Sequence, residues 1–301
     1  MPQKILITGA SGLIGTRLTE LLLAGGYSVA HLGRVKKMTH VQSFVWDVEK
    51  NEIDLEAIGE TDAIIHLAGA GIADERWTAS RKKEIVESRT RSTGLLLDAL
   101  KKEKHSVKSF ISASAIGYYG FGEDEVFVEE SNSGSDFLAQ VTKQWEGEVD
   151  KVSSPGIRLV KLRIGVVLSS QGGALEKMTK PVRFGLGSPL GSGKQYLSWI
   201  HIDDLCALFI KAIEDEKMVD AYNAVADWTT NAEMTKTIAS VLKRPLWLPN
   251  VPSFILKVIL GEMADIVLKG SKVSSQKILR TGFQFKYPAL MEVLENLFNK
   301  L

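Results

Sequence analysis

Three glycines carry the sharpest chemical signal in the sequence. In "ILITGASGLIG" an apolar run enters Gly9, and Gly12 and Gly15 follow at even spacing ahead of a helical pattern. Gly9 permits a tight turn, Gly12 lets the backbone approach a pyrophosphate, and Gly15 allows close helix–strand packing. The free amides and positive end of the following helix would then face phosphate. A glycine triplet alone is a weak motif, but this one stands directly between a strand and an amphipathic helix. A dinucleotide loop is expected here, with Gly9, Ser11, Gly12, Leu13, Ile14 and Gly15 as candidate cofactor contacts.

The second strand decides which nicotinamide. An acid that binds the adenine ribose 2′-hydroxyl should stand at its end. The chain instead reads "HLGRVKK", with Gly33, Arg34, Lys36 and Lys37 and no carboxylate. A carboxylate would repel a 2′-phosphate, whereas a guanidinium pairs with it in forked geometry. Arg34 is therefore the candidate selector for NADP(H) over NAD(H), a solvated basic turn being the bland alternative.

The elements that must hold these residues alternate in kind. "KILITG" (4–9), "YSVAHLG" (27–33), "SFVWD" (43–47), "DAIIHLAG" (62–69) and "VKSFISAS" (107–114) read as strands, with helical stretches at 12–25 and 79–102 between them. A helix over 136–150 and a strand over 157–169 continue the series. Strand–helix alternation implies an α/β fold, a doubly wound parallel sheet of Rossmann type. After Ser170 glycine-rich turns separate short elements, and helices are expected near 253–268, 274–280 and 289–299. The natural division is a nucleotide-binding domain over 1–170, with 196–228 returning to it, and a smaller substrate lobe from 171–195 and 229–301.

Bulk properties set limits. The chain has 301 residues, 45% of them apolar and 24% charged, and a chain this long buries roughly 75% of its unfolded surface without staples. A formal net charge of +1 argues against a nucleic-acid partner. The single cysteine, Cys206, excludes an internal disulfide and fits a reducing compartment. Its apolar setting in "LCALFI" marks it as an inert thiol. The N-terminal apolar stretch is too short for a signal-peptide core, and "FILKVILGEMADIVLKG" carries Lys257, Glu262 and Asp265, so no membrane span and a cytoplasmic location are expected. None of the five histidines shows metal-ligand spacing. "GSGKQ" near Lys194 has the outline of a second phosphate loop, but Ser188 stands where the first glycine belongs and Gln195 replaces the Ser/Thr.

The glycine loop spacing, "HLAGAG" and "SASAIGYYG" together resemble the extended short-chain dehydrogenase/reductase family over residues 4–225. The match is to its epimerase-like branch with a small C-terminal domain, which shares "GYYG" (117–120), Trp145-Glu146, the "GSGKQYLSWIHIDD" stretch (191–204) and "TGFQFKYP" (281–288). The resemblance implies that Asp47 contacts the adenine ring and that Ala68, Gly69 and Ala70 line the cofactor. It also brings the loop carrying Gln195 and Trp199 near the substrate, a tight surface turn being the other reading.

In that family a tyrosine hydroxyl exchanges a proton with the substrate oxygen, a lysine four residues later lowers its pKa, and a serine after the fifth strand polarises the same oxygen. Ser114 is the candidate serine, with Ser112 kept open. The helix slot reads "DFLAQVTKQWEGE" and has no tyrosine. Anchoring on Glu146 puts Leu138 and Thr142 in the two slots, whereas anchoring on Lys143 puts Ala139 in the first. Tyr118 or Tyr119 could replace the missing phenol, although pocket-wall packing is the commoner role, and Glu129 or Glu130 could supply an acid. Arg89, on the cofactor side, and Arg163, on the substrate side, are candidate anion ligands, with structural ion pairs as the competing role. Two functions stay open: an NADP(H)-dependent oxidoreductase or epimerase of a small hydroxyl or carbonyl compound, a nucleotide-linked sugar among them, or a catalytically inactive NADPH sensor or scaffold acting through a partner. A homodimer through the apolar C-terminal helices is a further expectation.

Overall fold

The computed structural model describes residues 2–36, 40–153 and 156–299; Lys37 of the basic turn lies outside them. The first part of the chain runs β1 (Lys4–Thr8), α1 (Leu13–Ala24), β2 (Ser28–Gly33), β3 (Gln42–Asp47), β4 (Glu52–Ile53), α2 (Glu56–Gly59), β5 (Ala63–His66), α3 (Ala79–Lys102) and β6 (Ser109–Ala115). A 3-10 turn over Ile116–Tyr119, β7 (Gly122–Phe127), α4 (Phe137–Val149), β8 (Arg158–Ile164) and β9 (Val166–Leu168) follow. Then come α5 (Ala174–Arg183), β10 (Tyr196–His201), α6 (Ile202–Glu214), β11 (Asp220–Ala224), β12 (Asp227–Thr230) and α7 (Asn231–Val241). The chain closes with α8 (Ser253–Leu260), α9 (Ala264–Leu268), β13 (Ser271–Val273), α10 (Gln276–Leu279) and α11 (Leu290–Phe298).

The large sheet has the order β11-β8-β6-β5-β1-β2-β3-β4. Its neighbours pair in parallel except β4, which runs antiparallel to β3. This is the doubly wound α/β fold expected from the alternation of strands and helices. The order reverses between β1 and β5, and ligands bind at such a switch point, outside the carboxyl ends of the strands. Ile5, Leu6, Ile7, Ile64, Ile65, Phe110 and Ile111 are fully buried in its core, each contributing roughly 1.5–3 kcal/mol by leaving water. Parallel strands covered on both faces need such unbroken apolar runs.

The single strand expected over 157–169 is two. At Gly165 the chain leaves the large sheet and enters a three-stranded one ordered β12-β10-β9. A Cβ there would lie 2.6 Å from the Ser198 carbonyl oxygen, so only glycine lets the backbones come this close. The helix expected near 253–268 is also broken. Gly261 takes φ +61° between α8 and α9, a left-handed conformation that ends the first helix.

Within 196–228, α6 packs near α1, where Arg17 Nε meets Asp203 at 2.7 Å, and β11 forms an edge of the large sheet. β10 and β12 belong to the small sheet, beside a second core that includes Leu168, Val182, Trp199, Met234, Ile238, Val293 and Leu297. His201 caps α6 by accepting from the Asp203 amide. Asp204 accepts from the amides of Lys286 and Tyr287, fastening "TGFQFKYP" to that helix start. Cys206 is fully buried, and burial pushes its thiol up to about 12. Among the described residues no helix is long and apolar enough to cross a membrane, and no group of His, Cys, Asp and Glu could hold a metal.

Candidate functional site

The loop from β1 into α1 is shaped by what its glycines exclude. Gly9 has φ +68°, and a Cβ on it would lie 2.8 Å from the Leu67 carbonyl carbon. A Cβ on Gly15 would lie 2.6 Å from both Ala10 Cα and the Gly9 oxygen, so helix and loop touch there. Gly12 caps α1 without any side-chain hydrogen bond, and the first turn holds no acid. The first amides of a helix lack internal partners and carry positive potential. These are left for an anion. Ser11 is exposed beside them and Leu13 and Ile14 are half-buried; free helix amides of this kind suit a pyrophosphate.

Across the switch point, Thr8 Oγ1 accepts from the amides of Leu67 and Ala68, fixing the strand-to-loop bend after β5. The Ala70 amide donates to Ser88, and Arg89 donates to the carbonyls of Ala70 and Ile85 at 3.0 and 2.8 Å. The Arg89 side chain lies over Gly69, where a Cβ would sit 3.1 Å from Cζ, and over the Trp145 ring at 5.2 Å. Burial and the neighbouring Arg81 push Arg89 down to about 10. Among the described residues Arg89 meets carbonyls and an aromatic face rather than a carboxylate. His66 behind the loop hydrogen-bonds Thr8 at 2.8 Å and Thr93 at 3.1 Å, and burial, then Arg89, push it down to about 3. It is neutral at any working pH. Arg34 follows β2 directly and is exposed, while Asp47 ends the neighbouring β3 and accepts from the amides of Glu49 and Lys50.

The second half of the site is built on β6, α4 and β8. Ser114 Oγ donates to Glu146 Oε1 at 2.5 Å. Arg163 clasps the same carboxylate in a fork, Nε to Oε1 and Nη2 to Oε2, both at 2.8 Å. Lys161 adds a second cation at 3.7 Å. Burial alone would raise the Glu146 carboxyl, but Arg163, Ser114 and Lys161 together hold it below the usual range. Charged, forked pairs of this kind are the strong ones. Arg163 also donates to the Tyr119 hydroxyl at 3.0 Å and to the Glu129 carbonyl at 3.0 Å, and its guanidinium faces the Tyr118 ring at 3.6 Å.

Tyr119 is buried, stacked on Phe127, and donates to Asn223 Oδ1 at 2.6 Å. Burial pushes its phenol up to about 12 against the pull of Arg163, so it stays protonated and engaged. Glu129 accepts from the Asn223 amide at 2.8 Å, and burial raises its carboxyl. Ser112 donates to the Ala113 carbonyl and is fully buried. On α4, Lys143 is exposed, Thr142 is buried, and Leu138 lies against Gly117. The inner face of α4 thus presents Leu138, Thr142 and Glu146, and no phenol.

Gln195 and Trp199 are placed inside the smaller lobe. The Gln195 amide donates to the carbonyls of Leu190 and Val267 at 2.9 and 2.7 Å, and Trp199 is buried in the second core. In this conformation both serve packing. Asn223 and the Glu129 backbone are the members of the polar cluster that the sequence left unmarked. The register of β11 on β8 brings Asn223 beside Arg163, and the segment after β7 brings the Glu129 carbonyl to it.

Residues 5–226 match the NAD dependent epimerase/dehydratase family, and residues 251–297 match a domain of unknown function, DUF1731. The chain is 38% identical over 300 residues to the chloroplastic epimerase family protein SDR39U1 homolog of Arabidopsis thaliana, covering 97% of this chain and 86% of that one. Human epimerase family protein SDR39U1, solved with NADPH, superposes with a TM-score of 0.91 at 32% identity, over 99% of this chain and 100% of that one. A nucleoside-diphosphate sugar epimerase from Corynebacterium glutamicum superposes with a TM-score of 0.82 at 30% identity, over all of this chain but 59% of that one. With its glycine loop at the switch point of the large sheet, the chain belongs to the NAD dependent epimerase/dehydratase family and carries a DUF1731 domain behind the nucleotide-binding fold.

Proposed function

We propose that the protein binds NADP(H) in preference to NAD(H) and catalyses hydride transfer to or from a small hydroxyl or carbonyl compound, as an oxidoreductase or epimerase. One observation carries this reading: the uncapped N-terminus of α1 and the Ser114–Glu146 couple lie at the same edge of one parallel sheet. The NADPH in the human relative supports the choice of cofactor. Gly9, Gly12 and Gly15 would seat the pyrophosphate, with Ser11, Leu13, Ile14 and Ala68–Ala70 around it. Asp47 would border the adenine, and Arg34 would pair with the 2′-phosphate. Arg89, a buried cation that meets no carboxylate among the described residues, would stiffen the Gly69–Ala70 wall and add positive potential.

When bound, NADP(H) supplies or accepts the hydride. In the oxidising direction Ser114 Oγ takes the substrate hydroxyl proton while its own proton passes to Glu146 Oε1. Arg163 holds that carboxylate charged and aimed. Because the same clasp makes Glu146 a weak base, turnover is slow compared with a tuned phenol. NADPH oxidation across a panel of carbonyl compounds, with cofactor binding measured in the same samples, tests this. Saturable turnover supports it, and a blank panel with intact NADPH binding contradicts it.

A second reading follows from the inner face of α4. With Leu138 and Thr142 in the tyrosine and lysine slots and the Tyr119 hydroxyl engaged by Asn223, a cofactor-loaded sensor or scaffold acting through a partner has the same geometry. Cellular function that survives Ser114→Ala and Tyr118→Phe but is lost on Arg34→Glu would favour it.

A further inference from the structure

A cleft of about 430 Å³ opens at the start of α4, lined by Trp77, Phe121, Phe137, Leu138, Lys257 and Glu262 among others. It falls within the size range of ligand clefts, about 300–1,000 Å³. One wall is the N-terminus of α4, where Leu138 lies against Gly117 just beyond β6 and Ser114. Another is Trp77, whose ring nitrogen donates to the Ile72 carbonyl at 2.9 Å and so follows the loop after β5. The far wall is α8, Gly261 and the segment into α9, clamped to α3 by the Lys82–Glu262 ion pair.

The lining is aromatic and its carboxylates are already engaged. Trp77 and Phe137 meet edge to face, with centroids 4.9 Å apart. Lys82 lies over the Phe137 ring at 5.1 Å and Lys269 over Phe121 at 5.6 Å. Lys82 is paired with Glu262, and Lys269 with Asp265 at 2.8 Å. Asp136 accepts from the amides of Leu138 and Ala139. Among the described lining residues three carboxylates, Asp136, Glu262 and Asp265, outnumber the one cation, Lys257, while Arg76 lies behind Gly261 and donates to the Val258 carbonyl. A diphosphate is held by free helix amides or by cations; here Asp136 already occupies the first amides of α4, and its carboxylate would repel a phosphate. The α8 helix adds apolar surface nearby, with Phe254 68%, Val258 74% and Ile259 60% exposed.

We infer that this cleft takes an uncharged, ring-bearing hydroxyl or carbonyl compound, held between Trp77, Phe121 and Phe137, and not a nucleoside-diphosphate sugar. The inference rests on the cofactor-binding reading above and names the substrate class for that site.

The test uses NADPH-loaded protein and equilibrium dialysis with three probes: 1-naphthol, 1-naphthyl phosphate and UDP-glucose. Naphthol should bind at least tenfold more tightly than either anion. Trp77→Ala and Phe121→Ala, on different walls, should each weaken naphthol at least tenfold and leave NADPH affinity unchanged. An anion that binds as well as naphthol overturns the inference, as does naphthol binding that is absent or indifferent to both substitutions. Absent NADPH binding in the wild-type protein would instead overturn the cofactor reading, so the two failures are told apart.

Discussion

Ser114 and Glu146 are 32 residues apart in sequence, yet the serine hydroxyl donates to the carboxylate at 2.5 Å. β6 carries one partner and α4 the other, and Arg163 from β8 fixes the carboxylate between them. The hydroxyl proton therefore has a fixed acceptor, and the oxygen keeps a lone pair for a substrate proton. Removing either partner should act on chemistry before it acts on cofactor binding. Ser114→Ala should lower kcat by about a hundredfold, within the usual range for positioned proton transfer, with NADPH affinity unchanged. Steady-state kinetics beside calorimetric NADPH titration would read both, and an unchanged kcat would remove Ser114 from the chemistry.

Glu146 and Arg163 also hold the fold. Both are almost fully buried, and breaking a buried pair from one side strands a charge. Glu146→Ala should cost about 3–5 kcal/mol of stability, and the Glu146→Ala/Arg163→Met double variant should recover part of that. Urea midpoints of the two variants measure it. A double variant no more stable than the single one would mean that the stranded guanidinium is not the source of the loss.

Acid should weaken the protein in two windows. His66 is held neutral, its pKa pushed down to about 3 by burial and then by Arg89. The unfolded chain binds this proton first, so stability is present above about pH 6.5 and falls by about 1.4 kcal/mol per pH unit below it. Glu146, held below the usual carboxylate range, contributes stability above about pH 4.3 that is lost as pH falls further. Urea midpoints from pH 7 to pH 5 should follow the first slope, and His66→Gln should flatten it. A His66→Gln variant with the wild-type slope would mean that another group is titrating.

Arg34 should set the choice of dinucleotide. Arg34→Glu should weaken NADPH at least tenfold, about 1.4 kcal/mol, while NADH affinity holds or rises. The effect should shrink in high salt because Arg34 is exposed. Equal losses for NADPH and NADH would show a general rather than a 2′-phosphate-specific contribution.

The glycine loop was legible in the sequence because its signal is local. Each glycine answers to a contact within its own turn or with the strand beside it. The strand–helix alternation was legible for the same reason, through short apolar runs between amphipathic stretches. The Arg163 ion pair was anticipated only as one role among two, since it depends on the α4 and β8 registers together. Asn223 and the Glu129 backbone carried no sequence signal, because β11 and the segment after β7 reach Arg163 only in the folded sheet. The cleft was hidden too. It depends on the helix break at Gly261 and on Lys82 meeting Glu262, 180 residues away.

A crystal structure with NADPH bound tests the central claim most directly. The pyrophosphate should rest on the amides at the start of α1, the 2′-phosphate should lie against Arg34, and Ser114 should be the hydroxyl nearest nicotinamide C4. A nicotinamide turned away from Ser114, or one closest to Tyr118 or Tyr119, would contradict the Ser114–Glu146 relay.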